Sequence, residues 1–427
     1  MKKKSKIQNP NFKILILLLF TFHCSLFTVS EAKVYIDISS PASKQLPIAI
    51  QEFSGTTGKE ISEIIRNDLE FTGLFFLIDR SAQLENPSQT FNPRNWTPLG
   101  VEAVVKGSVE EGKDLTVVAI LYDVLEGREL LRKEYSAEKE FIRPLSHSIA
   151  NDIYKALTGE TGIFRSKIAF VAEEGNGKGI FIMDWDGKKI KRTGLKGNVA
   201  ISPRWSRDGT KLLFSAERNR QWGIYLLNLT IRTENKVFSS KGTNVVGDFL
   251  PDGNNFIFYS SKDGNPDLYI MNLKDNEITR LTSSYSNEVS PSVSPDGRYI
   301  AFVSDKGGSP QIYVMRIDSS DVRRITFEGS YNTSPSWSPK GDRIIFSGRR
   351  GMTNQIFLVN PDGTGLTQLT TQGNNEDPSF SPDGRYVAFS SDRDGLKGIY
   401  IMRANGESQK RITPDSIIAS GPRWSPN

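Results

Sequence analysis

Pro291-Ser292-Val293-Ser294-Pro295-Asp296-Gly297 decides the fold, because this stretch recurs along the second half of the chain. Two close copies occupy residues 335–341 and 378–384, and degenerate copies occupy 203–209, 248–253 and 422–426. The apolar residues that mark the copies, at positions 205, 249, 293, 337, 380 and 424, are 44, 44, 44, 43 and 44 residues apart. So regular a period indicates a repeat architecture with one supersecondary unit per repeat.

Each repeat has the pattern of four short strands. Pro-Asp-Gly suits a tight turn, because proline fixes φ, aspartate bonds its own backbone and glycine accepts positive φ. In the third repeat, β-prone runs follow at 299–304 and 311–315, and a shorter run ends at Thr326. Four strands in about 44 residues is the spacing of a propeller blade. First strands starting near residues 168, 211, 255, 299, 343 and 386 predict a six-bladed β-propeller over 165–427.

The last copy of the repeat is incomplete. Residues 422–426 have no strand after them, whereas the first repeat, beginning at Ile168, lacks the strand that should precede it. We therefore expect the C-terminal strand to complete the first blade and close the ring, which leaves no open sheet edge.

Residues 47–160 do not follow the period and predict an α/β domain, a mixed sheet with two helices. Ile61, Ile64, Ile65 and Leu69 have helical spacing, and Gly73 is positioned as a C-terminal cap. A closing helix is predicted from Phe141, Leu145, Ile149, Ile153 and Leu157. The chain is thus multidomain, with this domain in front of the all-β propeller.

Residues 1–32 have the pattern of a signal peptide. Five lysines precede an apolar stretch at 14–20, and small residues surround an expected cleavage after Ala32. A membrane anchor is the alternative, but the stretch is shorter than the roughly 20 residues that a span needs. A lipoprotein site at Cys24 is a further alternative, although Thr21, Phe22 and His23 lack the small residues such a site requires.

The expected mature chain has little net charge. Five of the 54 basic and one of the 49 acidic residues lie in 1–32, leaving 49 and 48. Bulk charge therefore gives no reason to expect nucleic acid or an anionic membrane as a partner. The mature chain would keep no cysteine and one histidine, His147.

The sequence contains little that resembles catalytic machinery. It has no Gly-x-Ser-x-Gly motif, and His147 lies on the closing helix among apolar positions, where a structural role is expected. Asp252, Asp296 and Asp383 recur because of turn chemistry, so we expect neither a metal site nor a cofactor. A divalent-metal-dependent propeller hydrolase is kept as the alternative to a protein without enzymatic activity.

The best candidate site lies just before each innermost strand. Asparagines and their polar neighbours recur there, and they would gather at one mouth of the central channel. The candidate residues are Asn198, Asn244, Asn287, Glu288, Asn332, Thr333, Asn375, Glu376 and Asp377. They could bind a partner, since binding residues concentrate in loops on rigid scaffolds, or they could only supply loop geometry. A carbohydrate-binding propeller would need exposed aromatics near the channel, for which Tyr285 and Tyr331 are candidates.

Several motifs outside the repeats resemble one family. These motifs are Pro47-Ile48-Ala49-Ile50, Asn67-Asp68-Leu69-Glu70-Phe71-Thr72-Gly73-Leu74-Phe75, Leu121-Tyr122-Asp123-Val124 and Ala156-Leu157-Thr158-Gly159-Glu160. Together with the Ser-Pro-Asp-Gly repeats and the terminal Trp424-Ser425-Pro426, they are similar to the TolB family, the periplasmic component of the Tol-Pal system. The resemblance covers essentially the whole chain.

The resemblance implies a non-enzymatic, monomeric adaptor in the periplasm that supports outer-membrane integrity and envelope constriction at cell division. The propeller would bind Pal, the peptidoglycan-associated lipoprotein, through the channel mouth described above. A mobile N-terminal arm, residues 33–46, would bind TolA. Its β-prone residues are Val34, Tyr35, Ile36, Asp37 and Ile38, which could add a strand to a partner's sheet. Other outer-membrane lipoproteins or porins are possible further partners, and roles in protein import belong to the same expectation.

Overall fold

A computed structural model describes residues 45–82, 85–175, 177–194 and 199–426. The chain divides into two compact units. The first runs up to Ser136 and includes Ala156–Thr158, and the second comprises Ala137–Lys155 and the chain from Gly159 onward. Among the described residues, no helix combines the length and the apolarity needed to cross a membrane.

The first unit is built on a mixed five-stranded sheet. Its elements are β1 (Leu46–Ile50), α1 (Gly58–Thr72), β2 (Phe75–Leu77), β3 (Ala103–Glu111), β4 (Leu115–Asp123) and β5 (Arg128–Ala137). The strand order is β2-β1-β3-β4-β5; β1 is parallel to β2 and β3, and β3 is antiparallel to β4. Short 3-10 turns occupy Arg80–Ala82, Pro93–Asn95 and Thr97–Leu99, and a further one, Lys139–Phe141, belongs to the second unit.

Helix α1 shows why the predicted pattern forms a helix. Ile61, Ile64, Ile65 and Leu69, at positions i, i+3, i+4 and i+8, fall on one face of the helix and are all buried. The helix ends at Gly73, whose φ of 67° is left-handed and whose N–H donates to the carbonyl of Glu70. The predicted glycine cap is confirmed, since this backbone region is open to glycine at little cost.

A second helix, α2 (Ile142–Thr158), carries the predicted apolar face of Leu145, Ile149, Ile153 and Leu157, all buried. Phe141, which was expected on the same face, is instead 47% exposed. Because Phe141 is the N-cap residue of α2 (φ −97°) and not part of the helix, its side chain does not follow the helical period.

The propeller begins with strands of the first two repeats. These are β6 (Lys167–Glu174), β7 (Gly177–Asp184), β8 (Lys191–Thr193), β9 (Val199–Trp205), β10 (Lys211–Arg218), β11 (Gln221–Asn228) and β12 (Thr233–Ser239). A parallel bridge between Lys178 and Val199 joins β7 to β9, so both repeats belong to one sheet.

Four further repeats form separate four-stranded antiparallel sheets. The first two contain β13 (Asn244–Phe249), β14 (Asn255–Ser260), β15 (Asp267–Asn272), β16 (Ile278–Arg280), β17 (Glu288–Val293), β18 (Tyr299–Ser304), β19 (Gln311–Arg316) and β20 (Arg323–Arg324). The last two contain β21 (Asn332–Trp337), β22 (Ile344–Arg350), β23 (Thr353–Val359), β24 (Thr367–Gln368), β25 (Asn375–Phe380), β26 (Tyr386–Ser391), β27 (Gly398–Arg403) and β28 (Lys410–Arg411). The chain therefore contains a β-propeller in which four repeats form separate sheets. The described strands of the first two repeats share one sheet, so the six separate sheets of the prediction are not all observed.

The C-terminal strand β29 (Ala419–Trp424) pairs antiparallel with β6, so that the end of the chain joins the first repeat. Trp424 lies opposite Ile168, and the N–H of Ser425 donates to the carbonyl of Lys167 at 2.8 Å. The predicted completion of the first repeat by the C-terminal strand is confirmed. The sheet containing β29 consequently has eight strands.

Each repeat of the propeller contains the same kind of aromatic pair. A buried phenylalanine on the second strand packs on an aromatic ring of the third strand, with centroids 5.4 to 5.9 Å apart. The phenylalanines are Phe170, Phe214, Phe258, Phe302, Phe346 and Phe389. Offset and tilted ring pairs of this kind add to the energy of burial, and the same contact joins the second strand to the third within each repeat.

Antiparallel pairing gives the propeller two distinct ends. At the loop end, the innermost strands begin, the second and third strands are joined, and the chain passes to the next repeat. At the turn end lie the Ser-Pro-Asp-Gly turns and the connections between third and fourth strands. Every candidate residue from the sequence that the structure describes belongs to the loop end or to the innermost strand that starts there.

Candidate partner-binding site

Two of the predicted asparagines are internal to their sheets. Asn332 is the first residue of β21 and is 1% exposed. Its Nδ2 donates to Gln311 Oε1 at 2.7 Å and to the carbonyl of Glu328 at 2.9 Å. Asn375 begins β25 and makes the equivalent bond to Gln355 Oε1 at 2.9 Å. These side chains fasten the incoming loop to the third strand of the preceding sheet.

Asn244 and Glu288 have the same place in their own repeats. Asn244 Oδ1 accepts from the hydroxyls of Ser240 and Ser260, at 2.7 and 2.6 Å. Glu288 Oε1 accepts from the hydroxyl of Ser284 at 2.7 Å, and burial raises the pKa of this carboxyl. Both side chains are buried. For these four residues the contacts favour the alternative interpretation, in which the side chain holds the geometry of the loop.

The neighbouring polar residues are more accessible. Asn287 is exposed and bonds Asp305, while Thr333 is half-buried. Glu376 is half-buried and pairs with Lys397 Nζ at 2.6 Å. Asp377 is half-buried too, has a φ of 55°, and accepts from the hydroxyl of Ser334 at 3.0 Å. The remaining predicted residues, Asn198 and the arm residues 34–38, lie outside the described residues.

Exposed apolar side chains that the sequence interpretation had mostly missed lie at the same end of the propeller as these polar residues. Met352 and Leu396 are exposed at the connections between second and third strands. Tyr285, Phe327 and Tyr331 are exposed in the loops that lead into innermost strands. We call these five the loop-end apolar set. Arg324 lies over the ring of Phe327 and Arg349 over that of Tyr331, at 5.1 and 5.4 Å, so each ring already has a cationic neighbour.

The carboxylates considered for a metal bond their own turns. Asp296 Oδ1 accepts from the hydroxyl of Ser294 at 2.6 Å and from the N–H of Arg298 at 3.1 Å. Within the described ranges, no group of three or more His, Cys, Asp or Glu side chains could hold a metal ion. His147 is 3% exposed on α2, with Nε2 3.3 Å from Arg143 Nη2, in keeping with a structural role.

Comparison with known families matches nearly the whole chain to one family. Residues 154–427 match the family described as "TolB beta propeller domain", and residues 34–130 match "TolB amino-terminal domain". Together these matches cover both units.

Individual relatives agree with the family matches. The chain is 32% identical over 234 residues to the Tol-Pal system protein TolB of Bordetella avium, covering 54% of this chain and 53% of that protein. It is 36% identical over 215 residues to that of Syntrophus aciditrophicus, covering 46% and 48%. The chain thus spans about half the length of the curated relatives it matches. A solved structure of TolB from Acinetobacter baumannii superposes with a TM-score of 0.79 at 28% identity, covering 92% of this chain and 100% of that one.

Proposed function

The chain belongs to the TolB family, and from this we propose that it is a periplasmic adaptor that binds Pal through the loop end of its propeller and TolA through its N-terminal arm. The relatives are Tol-Pal system proteins, and in this proposal the chain is likewise a component of that system and not an enzyme. The hydrolase alternative is therefore set aside. In this proposal the mature chain acts as a monomer and supports outer-membrane integrity and envelope constriction at division.

The observation that carries the Pal proposal is the loop-end apolar set. Met352 is 94% exposed and Phe327 71% exposed, although large apolar side chains usually avoid water. Clusters of exposed aromatic and methionine side chains are typical of protein–protein interfaces. The polar residues Asn287, Thr333 and Glu376 would form the rim of this surface. The buried asparagines would act indirectly, by holding the loops that carry it.

We also propose that the propeller has six blades. The eight-stranded sheet would count as two blades, because among the described residues only the bridge between Lys178 and Val199 joins its halves. The aromatic pair in the core recurs in each of the six repeats, which supports this count.

Substitution at the loop end tests Pal binding. The triple variant Tyr285→Ser, Phe327→Ser, Met352→Ser should weaken binding to soluble Pal from the same organism, measured by calorimetry, by at least about tenfold. Such a loss corresponds to about 1.4 kcal/mol, which truncation of a single interface anchor can exceed. Because the three side chains are exposed, the melting temperature should change little.

Two exposed apolar residues at the turn end provide a matched control. Ile231 and Val322 lie in connections between third and fourth strands and are 66% and 51% exposed. Ile231→Ser, Val322→Ser should leave Pal affinity unchanged. Equal losses in both variants would place the interface elsewhere, and a parent chain that binds no Pal would refute the adaptor function itself.

The arm requires its own test. Residue 45 is the first described residue, and its side chain Nε2 donates to the carbonyl of Gly73 at 2.9 Å. We propose that residues 33–44, before this anchor, bind TolA. Their deletion should abolish TolA binding and leave the melting temperature unchanged. A large fall in melting temperature would instead make the segment structural.

A further inference from the structure

A cavity of about 480 Å³ opens at the turn end, where the innermost strands finish. Its lining contains three arginines, Arg204, Arg207 and Arg423, and one acidic residue, Asp248. The remaining lining consists of serine, proline, aromatic and valine side chains. The cavity therefore has an excess of positive charge in a protein whose expected mature chain is almost neutral.

The two inner arginines have few acidic partners. Arg204 Nε lies 3.1 Å from Asp248 Oδ1, but the pair lacks hydrogen-bond geometry. Arg423 Nη1 donates to two main-chain carbonyls, those of Pro422 at 2.8 Å and Asp377 at 3.2 Å, and to no carboxylate within the described residues. At least one guanidinium is thus held at the cavity without a salt bridge.

The uncharged lining groups also offer donors. Trp337 is 8% exposed, and its Nε1 has no hydrogen-bond partner among the described residues. The hydroxyl oxygens of Ser292 and Ser379 each accept from a main-chain N–H of the next repeat, at 3.3 and 3.1 Å. Each hydroxyl also carries a proton, so it can act as a donor as well as an acceptor.

The electrostatics agree with this geometry. Burial, followed by the nearby charge of Arg423, lowers the pKa of Arg204 to about 9. Burial also lowers the pKa of Arg423. Arginine side chains stay protonated in proteins, so burial imposes a cost on both charges, which nearby Asp248 and Asp377 offset in part. A bound anion would offset that cost.

We propose that the turn-end cavity binds a small oxyanion, a carboxylate or a phosphate, between Arg204 and Arg423. Guanidinium groups match the two oxygens of these anions, and Trp337 Nε1 and the serine hydroxyls would complete the donor set. The site lies at the opposite end of the sheets from the loop-end apolar set, so it is independent of the proposed Pal surface. If the test of the oxyanion site failed, the proposal of Pal binding would not be affected, and the reverse holds too.

Calorimetry on the purified mature chain tests the site, with inorganic phosphate and succinate as separate probes. We expect binding with a Kd in the range of about 1 mM or tighter. Heat with phosphate only would identify a phosphate site, heat with succinate only a carboxylate site, and heat with both a general oxyanion site. No binding of either probe would overturn the proposal.

Charge substitutions of opposite sign give the sharper result. Arg423→Gln should weaken binding by at least about tenfold, whereas Asp248→Asn should tighten it by about fivefold or more, because it removes the one carboxylate of the lining. The amide can still accept from the N–H of Val293, as Asp248 does at 3.1 Å. Arg298→Gln, an exposed arginine in a turn outside the cavity, is the control that should change nothing. If Arg423→Gln does not fold, unchanged or weaker binding by Asp248→Asn would by itself refute the site.

Discussion

Replacing Trp424 with alanine should destabilise the propeller strongly, because this residue ties the end of the chain to the first repeat. Trp424 is 7% exposed and lies opposite Ile168 on β6. Its Nε1 donates to the hydroxyl of Ser166 at 2.7 Å, and its main-chain N–H donates to the hydroxyl of Ser379 at 3.1 Å. One side chain thus joins the C-terminal strand to the beginning of the propeller.

The expected magnitude follows from burial and from the lost hydrogen bond. Truncating a buried tryptophan to alanine costs about 3–5 kcal/mol, and the indole bond adds about 1 kcal/mol. At roughly 2–4 °C per kcal/mol for a large domain, the melting temperature should fall by about 10 °C or more. Urea unfolding followed by far-UV circular dichroism would measure the free energy, and calorimetry would measure the melting temperature.

Trp337 provides a matched control, because it marks the same position of another repeat. It is equally buried, but its Nε1 has no hydrogen-bond partner among the described residues. Trp424→Phe should therefore cost about 1 kcal/mol more than Trp337→Phe, which isolates the bond to Ser166. A fall of less than a few degrees for Trp424→Ala would refute the closing role of this strand.

Three further substitutions test separate parts of the molecule. Gly187→Ala should cost well over about 1 kcal/mol in the free energy of unfolding, since its Cβ would lie 2.0 Å from a carbonyl oxygen of the last repeat. The control is Gly209→Ala, at a glycine with a similar positive φ and nothing within 4 Å of the added Cβ, which should cost about 1 kcal/mol. Equal losses in the two variants would contradict the contact at Gly187. Lys106→Met should cost about 3 kcal/mol in urea unfolding, because it leaves the buried carboxylate of Glu85 without its cation, 2.8 Å away; a neutral result would show that the remaining bonds of Glu85 suffice. Hydrogen bonds from a serine hydroxyl and from a threonine N–H and hydroxyl lower the pKa of Asp208 to about 2, so its contribution to stability is present above about pH 4 and is lost as the pH falls toward 2. Asp208→Asn should flatten the loss of melting temperature over that interval, and an unchanged profile would contradict this assignment.

The repeat, its turns and its closure could be predicted from the sequence because they follow from local chemistry. Pro-Asp-Gly sets a turn wherever it occurs, and a period of 44 residues can be counted. The first repeat lacks a strand before Ile168 and the last copy has an extra strand at Trp424, so the pairing of these two could also be predicted. The bridge that merges the first two repeats could not be predicted, since in the described part of the chain it is a single backbone pairing, between Lys178 and Val199.

The burial of three of the asparagines could not be predicted, for a different physical reason. Four non-glycine residues, Ser202, Ser290, Ser334 and Asp377, have left-handed φ of 52° to 55° immediately before a proline. A residue in this position normally adopts an extended conformation, so the sequence gives no warning of the bulge. The bulge breaks the alternation of side chains along the innermost strand. Asn244, Asn332 and Asn375, which were expected in the loops before the innermost strands, are instead the first residues of those strands and are buried.

The loop-end apolar set was missed because apolar residues in a repeat are normally assigned to its core. Tyr285 and Tyr331 drew attention as aromatics in polar loops, but Phe327, Met352 and Leu396 did not. Strand counting could have found them, since the connection between second and third strands lies at the same end as the start of the innermost strand.

Hydrogen–deuterium exchange on the mature chain, with and without soluble Pal, tests most directly which surface the adaptor uses. Binding at the loop end predicts slower exchange in residues 283–287, 327–333, 351–353 and 395–397, with the Ser-Pro-Asp-Gly turns unaffected. Protection confined to the turns at 294–298, 338–342 and 381–385 would contradict the account, because those segments lie at the opposite end of every sheet.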